Sequence, residues 1–125
     1  DNFEFLDTFG GYEKCYKLSD NSNLTICIYS AFGLESVARG NRTAIFNVRD
    51  KVAKMESLKL FWSDKQFPLK GPFWSDEINE KEVNRVLDYC LKSSDDEWQK
   101  SAESIMPSLI FFDNDNSSFK KLINN

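Results

Sequence analysis

Two apolar runs stand out from an otherwise mixed pattern. Residues 24–29 (Leu-Thr-Ile-Cys-Ile-Tyr) are nearly continuous in apolar character, as a strand is when both faces of its sheet are covered. Residues 43–48 (Thr-Ala-Ile-Phe-Asn-Val) form the second run. Between them lie the turn Ser30-Ala31-Phe32-Gly33, a short helix over 33–39 bearing Glu35, and a Gly40-Asn41 stop. Strands joined in this way require a crossover, and a helix is the usual one. The pattern therefore predicts a strand–helix–strand unit whose two strands are adjacent and parallel.

Helical spacing is clearest at Val83, Val86, Leu87, Cys90 and Leu91, which recur at i, i+3, i+4, i+7 and i+8. Ser75 and Asp76 are the N-cap candidates for that helix. The face made by Val83, Val86, Leu87 and Cys90 is expected to be buried against the sheet. Ser94 with Glu97 has capping-box spacing and opens another helix through Trp98, Ala102 and Ile105, which Pro107 stops. Near the start, Phe3-Glu4-Phe5-Leu6 alternates briefly. Asp7 or Thr8 then caps a helix over 11–18, with Tyr12, Cys15 and Tyr16 on one face. Weaker signals predict a helix over 49–60 from Val52, Met55 and Leu58, a short strand over 108–112, and a last helix over 117–123 with Phe119 and Leu122 turned inward.

From 59 to 76 the texture changes to an aromatic-rich loop with Phe61, Trp62, Phe67, Phe73 and Trp74, punctuated by Pro68 and Gly71-Pro72. Phe-Trp-Ser-Asp occurs at 61 and again at 73, but two copies of four residues do not make a repeat architecture. Such a loop is either a hydrophobic flap folded over the sheet or a lid beside a ligand, since aromatic faces stack on sugars and bases.

At 125 residues the chain is long enough for one domain with a real core. Sixteen basic and twenty acidic residues give a net charge of −4, and the basic ones are scattered, which argues against a nucleic-acid groove. No apolar run approaches the ~20 residues of a membrane span. The expected location is cytoplasmic, with the inner face of the membrane as an extension of that reading. Cys15, Cys27 and Cys90 lack metal-ligand or disulfide spacing and sit among apolar neighbours, so all three are expected to be buried in a reducing compartment. Asn-x-Ser/Thr sequons begin at Asn23, Asn41 and Asn116; in an Asn-rich chain chance accounts for them.

Without a single His, the chain cannot supply a His base, a His metal ligand or a Ser-His-Asp triad. Asp113-Asn114-Asp115 imitates an Asp-x-Asp metal–diphosphate motif, but its nearness to the end favours a solvated turn capping the last helix. No metal or other cofactor is expected, and no catalytic residue can be named. A binding site can. In α/β proteins the turn from strand to helix at the carboxyl edge of the sheet receives phosphates, because first-turn N–H groups lack helical partners and the dipole favours an anion. Here that turn offers Ser30 and the N–H groups of Phe32, Gly33 and Leu34. Glu35, one turn in, faces the hydroxyls of such a ligand. Arg39 and Arg42 are expected to be solvated or paired.

Ser30, Gly33, Glu35, Gly40, Asn41 and Arg42 together resemble the donor-nucleotide half of GT-B-fold glycosyltransferases and the related polyol-phosphate transferases of bacterial surface-polymer synthesis. Glu35 stands five residues before Gly40, the spacing at which that superfamily places the acid that binds the ribose of a sugar nucleotide. Gly71-Pro72-Phe73-Trp74, Leu87-Asp88-Tyr89, Ser94 to Trp98 and Phe112 to Asn116 look like the tail of lipopolysaccharide O-antigen biosynthesis proteins of this type. Cys27 occupies the position where retaining members often carry the first of two glutamates, which speaks against that subgroup.

The resemblance implies an α/β, Rossmann-like fold with a mostly parallel sheet of three or four strands flanked by helices. It also implies a nucleotide-sugar donor as ligand, for which Ser30, Phe32, Gly33, Leu34 and Glu35 are the nucleotide-binding residues. A complete GT-B enzyme has two such domains, so the chain is expected to be the C-terminal part of a longer protein whose N-terminal domain binds the acceptor. By itself this segment is expected to be inactive. The rival readings are a stand-alone, non-catalytic α/β interaction module, such as an immunity or regulatory protein, and a nucleotide-sugar epimerase-like enzyme, for which acid–base residues are not evident.

Overall fold

The computed structural model describes residues 11–28, 30–48, 54, 68–106, 113 and 115–123, with the backbone alone at 12, 118, 119 and 122. Of the expected helix over 49–60 only Lys54 is described, and its turn conformation with φ 52° is not helical; the strand over 108–112, the alternation at 3–6, Phe61, Trp62 and Phe67, and the side chains of Phe119 and Leu122 lie outside the described residues.

The fold is α/β, with a mostly parallel mixed sheet in a Rossmann-like arrangement. In chain order the elements are α1 (Tyr12–Asp20), β1 (Thr25–Ile28), α2 (Ala31–Ala38), β2 (Thr43–Phe46), β3 (Lys70–Gly71), β4 (Trp74–Ser75), α3 (Glu80–Lys92), α4 (Asp95–Glu103) and α5 (Ser117–Ile123). The strand order is β1-β2-β4-β3. β1 and β2 are parallel with Cys27 opposite Ile45, β2 and β4 are parallel with Ile45 opposite Trp74, and β3 pairs antiparallel with β4. The strand–helix–strand unit therefore stands as its sequence predicts. Helix α2 ends as Gly40-Asn41 foreshadowed: Gly40 takes φ 91°, its N–H reaches Val37 O at 2.8 Å, and Asn41 N–H reaches Ser36 O at 3.0 Å.

Alternation along the strands sets the layers. A Cβ on Gly33 of α2 would come within 3.0 Å of Cys27 Cβ and 3.4 Å of Ile45 Cγ1, so these residues share the face covered by α2. Ser75, opposite Phe46 in register, donates to Glu82 Oε2 of α3 at 2.9 Å, which puts α3 on the other face. Helix α3 packs chiefly on β2 and β4. Residues 24–29 were expected to be covered on both faces, but Ile26 and Ile28 are 56% and 55% exposed. β1 lies at the end of the described sheet, and among the described residues it is the Cys27 side that α2 covers.

The aromatic stretch is partly strand. Phe73 and Trp74 are buried, Lys70–Gly71 and Trp74–Ser75 pair as β3 and β4, and Trp74 Nε1 donates to Pro68 O at 2.8 Å. These two aromatics belong to the core rather than to a lid, because their rings lie inside the contact between sheet and helices. On α3, Val86 and Cys90 are fully buried, Val83 and Leu87 are half-buried, and Leu91 is 57% exposed, so the buried stripe is narrower than the periodicity predicts. The cap also differs. Asn79, not Ser75 or Asp76, accepts from Glu82 N–H at 3.0 Å, since Ser75 is committed to β4 and its hydroxyl accepts from Glu77 N–H. The Ser94–Glu97 capping box forms as expected, and its backbone donor holds the Glu97 carboxyl below the usual range.

Burial pushes the Cys90 thiol up to about 12 and raises Cys27 as well, which makes both poor nucleophiles. Cys15 is only half-buried, lining a cavity beside α1, a correction to the expectation for all three cysteines. Two cations of the middle of the chain tie the layers. Arg42 donates to Cys90 O, Ser93 Oγ and Asp95 Oδ1 at 2.7–2.9 Å and lies over the Trp98 ring. Arg85 bridges Glu82 to the carbonyls of Gly71 and Trp74.

Candidate functional site

The parallel pairing of β1 and β2 puts the start of α2 at the carboxyl edge of the sheet, where the orphan amides of a helix face outward. Ser30 is the N-cap of α2: it is exposed, extended in backbone, and its Oγ accepts from Phe32 N–H at 3.3 Å. Gly33 N–H reaches Ser30 O at 3.0 Å. Gly33 is buried because α2 approaches Cys27 so closely there, and Leu34 packs half-buried against the core. Phe32 is half-buried and its ring lies 5.4 Å from that of Tyr16 on α1. Four of the five expected site residues thus cluster at one helix start, and Glu35 follows on the next turn.

Glu35 is half-buried and does not stand alone. The Tyr16 hydroxyl donates to its Oε2. Carrying a hydrogen bond to a carboxylate, Tyr16 has its pKa raised above the ordinary 10.0, so it remains a donor. The Arg39 guanidinium lies 5.2 Å from the centroid of the Tyr16 ring and pairs in two-pronged fashion with Asp20. Asn41 Nδ2 adds bonds to Asp20 Oδ1 at 2.8 Å and to Ser19 Oγ at 3.2 Å. Beneath them, four hydroxyls join in a chain: Thr25 to Ser19 at 2.9 Å, Ser19 to Ser36 at 2.6 Å and Ser36 to Thr43 at 2.8 Å. Thr43 Oγ1 donates onward to Asn41 O at 3.2 Å, so the chain of hydroxyls is anchored at that end to the backbone.

Sequence reasoning placed Tyr16 on an apolar face and missed its hydroxyl as the partner of Glu35. The only trace available was its position on the same side as Cys15. Arg39 and Arg42 are both paired, as expected. The Asn41 sequon has its amide nitrogen occupied within the fold, and at Asp113 the carboxylate accepts from Ser117 Oγ at the start of α5. A cavity of about 290 Å³ opens between α1 and the start of β1, lined by Cys15, Leu18, Leu24 and Phe32 with the hydroxyl residues Ser19, Ser22 and Thr25. Neither Ser30 nor Glu35 lines it. Among the described residues no three His, Cys, Asp or Glu side chains gather as a metal site, and no helix is long and apolar enough to cross a membrane.

Two carboxylates are strongly acidified. Arg39 and Asn41 hold Asp20 at about 2, and Arg85 and Ser75 hold Glu82 at about 2. Folded values below the ordinary 3.8 and 4.5 mean that the stabilisation is complete above those values and is lost as pH falls toward 2. The urea midpoint is accordingly expected to be level near neutral pH and to fall between about pH 4 and about pH 2. Glu82→Gln should flatten part of that fall, and a wild-type midpoint independent of pH across the window would show that the pairs contribute nothing.

A protein family described as "putative O-antigen biosynthesis protein" matches residues 1–125, the full length of the chain. The chain belongs to this family. Its name associates the chain with O-antigen biosynthesis, and the match is not to a GT-B glycosyltransferase family. No curated protein and no solved structure matches the chain.

Proposed function

We propose that this O-antigen biosynthesis protein binds the nucleotide-sugar donor of a glycosyltransferase reaction through the start of α2. The observation that supports this most directly is the parallel β1–α2–β2 unit with Ser30 capping α2 and Glu35 one turn further on, since α/β proteins receive phosphates at such a turn. On this reading the diphosphate oxygens are held by Ser30 and by the N–H groups of Phe32, Gly33 and Leu34. The 3.3 Å bond from Phe32 N–H to Ser30 Oγ is long enough to yield to a charged acceptor. Glu35 accepts from the ribose hydroxyls. The acceptor is bound by an N-terminal domain of the same longer protein, and the segment described here holds the donor without completing the reaction.

Calorimetric titration of the full-length protein with UDP, GDP and CDP tests it. Glu35→Ala is expected to weaken the bound nucleotide by about 1.5–3 kcal/mol, the usual worth of a hydrogen bond to a charged group. Glu35→Gln keeps an acceptor for Tyr16 and separates loss of charge from loss of that contact. Equal affinity of wild type and both variants would remove Glu35 from the site. Absence of binding by any nucleotide would favour the interaction-module reading, for which the exposed Ile26 and Ile28 on the side of β1 opposite Cys27 are the relevant surface.

A further inference from the structure

Glu35 has two oxygens, and among the described residues only one of them, Oε2, takes a hydrogen bond, from Tyr16. The Tyr16 hydroxyl donates to Oε2, which fixes the carboxylate's rotation and leaves Oε1 to the ligand. The ring itself is held from two sides: Phe32 packs at 5.4 Å with an interplanar angle of 44°, and the Arg39 guanidinium sits 5.2 Å from its centroid. Arg39 is in turn fixed by Asp20, which Asn41 also holds. Tyr16 is therefore the end of a braced chain of contacts whose last link is the Glu35 carboxylate. A tyrosine placed only to fill space would have no need to direct its hydroxyl at that acid.

We propose that Tyr16 is a positioning residue for Glu35, and that the Tyr16–Glu35 pair makes the site selective for a ligand with a vicinal diol, a ribonucleotide over its 2′-deoxy counterpart. The inference rests on the donor-binding reading above. With its rotation held by Tyr16, the Glu35 carboxylate accepts from the two neighbouring ribose hydroxyls, so a ligand lacking one hydroxyl leaves a half-buried acceptor short of a partner, and such a loss is discriminated against strongly.

The test is calorimetric titration of the full-length protein, as wild type, Tyr16→Phe, Glu35→Gln and the double variant, with UDP, GDP and CDP and with their 2′-deoxy forms. Tyr16→Phe keeps the ring under Arg39 and removes only the hydroxyl. It is expected to weaken the ribonucleotide roughly tenfold, as for one lost hydrogen bond, while barely changing the 2′-deoxynucleotide. In the Glu35→Gln background the same change should cost much less, because a residue that acts through another is non-additive with it. Wild-type selectivity retained in Tyr16→Phe, or fully additive losses in the double variant, would overturn the role of Tyr16 while leaving donor binding in place. A wild-type protein that binds no nucleotide would overturn both. Thermal unfolding of each variant, alone and with the nucleotide, separates a folding defect from a binding one: a Tyr16→Phe protein that melts like wild type yet binds more weakly supports positioning, and one whose weaker binding tracks its melting loss counts against it.

Discussion

Phe73→Ala is expected to cost about 3–5 kcal/mol in urea unfolding, the range for truncating a large aromatic in a core. Phe73 is 0% exposed and sits in the turn between β3 and β4, within the buried core cluster. Its ring is bracketed by two indoles, Trp74 at 4.8 Å in an edge-on arrangement and Trp98 at 5.1 Å and 56°. Removing it loses the transfer energy of the ring and opens a cavity whose walls are tryptophans anchored elsewhere, Trp74 by Pro68 O and Trp98 by Gly40 O. Anchored walls collapse poorly, which puts the cost high in the range. Leu91→Ala is the control: with that side chain 57% exposed, a change within about 0.5 kcal/mol is expected. If the two variants unfold alike, the aromatic cluster is not the centre of the core.

The contrast between these positions shows what was legible in the chain. Local signals read correctly where the physics is local. The Ser94–Glu97 box depends on residues three apart, and the Gly40-Asn41 stop depends on one residue that adopts a positive φ easily. The parallel β1–α2–β2 unit followed from strand length and connection length alone. Periodicity on α3 located the buried stripe but not its width, because width depends on how far the sheet extends beneath the helix: Val86 and Cys90 lie over strands, and Leu91 does not.

Pairings between distant residues were illegible. β3 and β4 are two residues each, too short to display alternation, so Gly71-Pro72-Phe73-Trp74 read as loop. Once Ser75 is in a strand, the helix cap passes to Asn79. Cover over β1 depends likewise on which elements pack against it, which no window of sequence contains. At the candidate site the cap, the glycine and Glu35 were found from their spacing, whereas Tyr16 was not, since nineteen positions separate it from the carboxylate it serves.

Gly71→Ala is expected to destabilise by about 3 kcal/mol, the upper end of what overpacking costs. The reason is contact, since the backbone of Gly71 does not take a positive φ. In the antiparallel pair of β3 and β4, Gly71 stands opposite Trp74, and the indole lies across the glycine. A Cβ there would meet Cζ2 and Cη2 of that ring at 1.9 and 2.0 Å. The ring cannot retreat cheaply, being 3% exposed, packed on Phe73 and held by its Nε1 bond to Pro68 O. Nor can the strand move away without loosening the bonds that Arg85 makes to the carbonyls of Gly71 and Trp74. The clash therefore propagates from β3 into the α3 anchor. Urea unfolding followed by tryptophan fluorescence should show both a lower midpoint and an altered native-state emission as the indole is displaced. A variant with wild-type midpoint and emission would mean that β3 moves freely, and that its pairing with β4 adds nothing to the stability of the sheet.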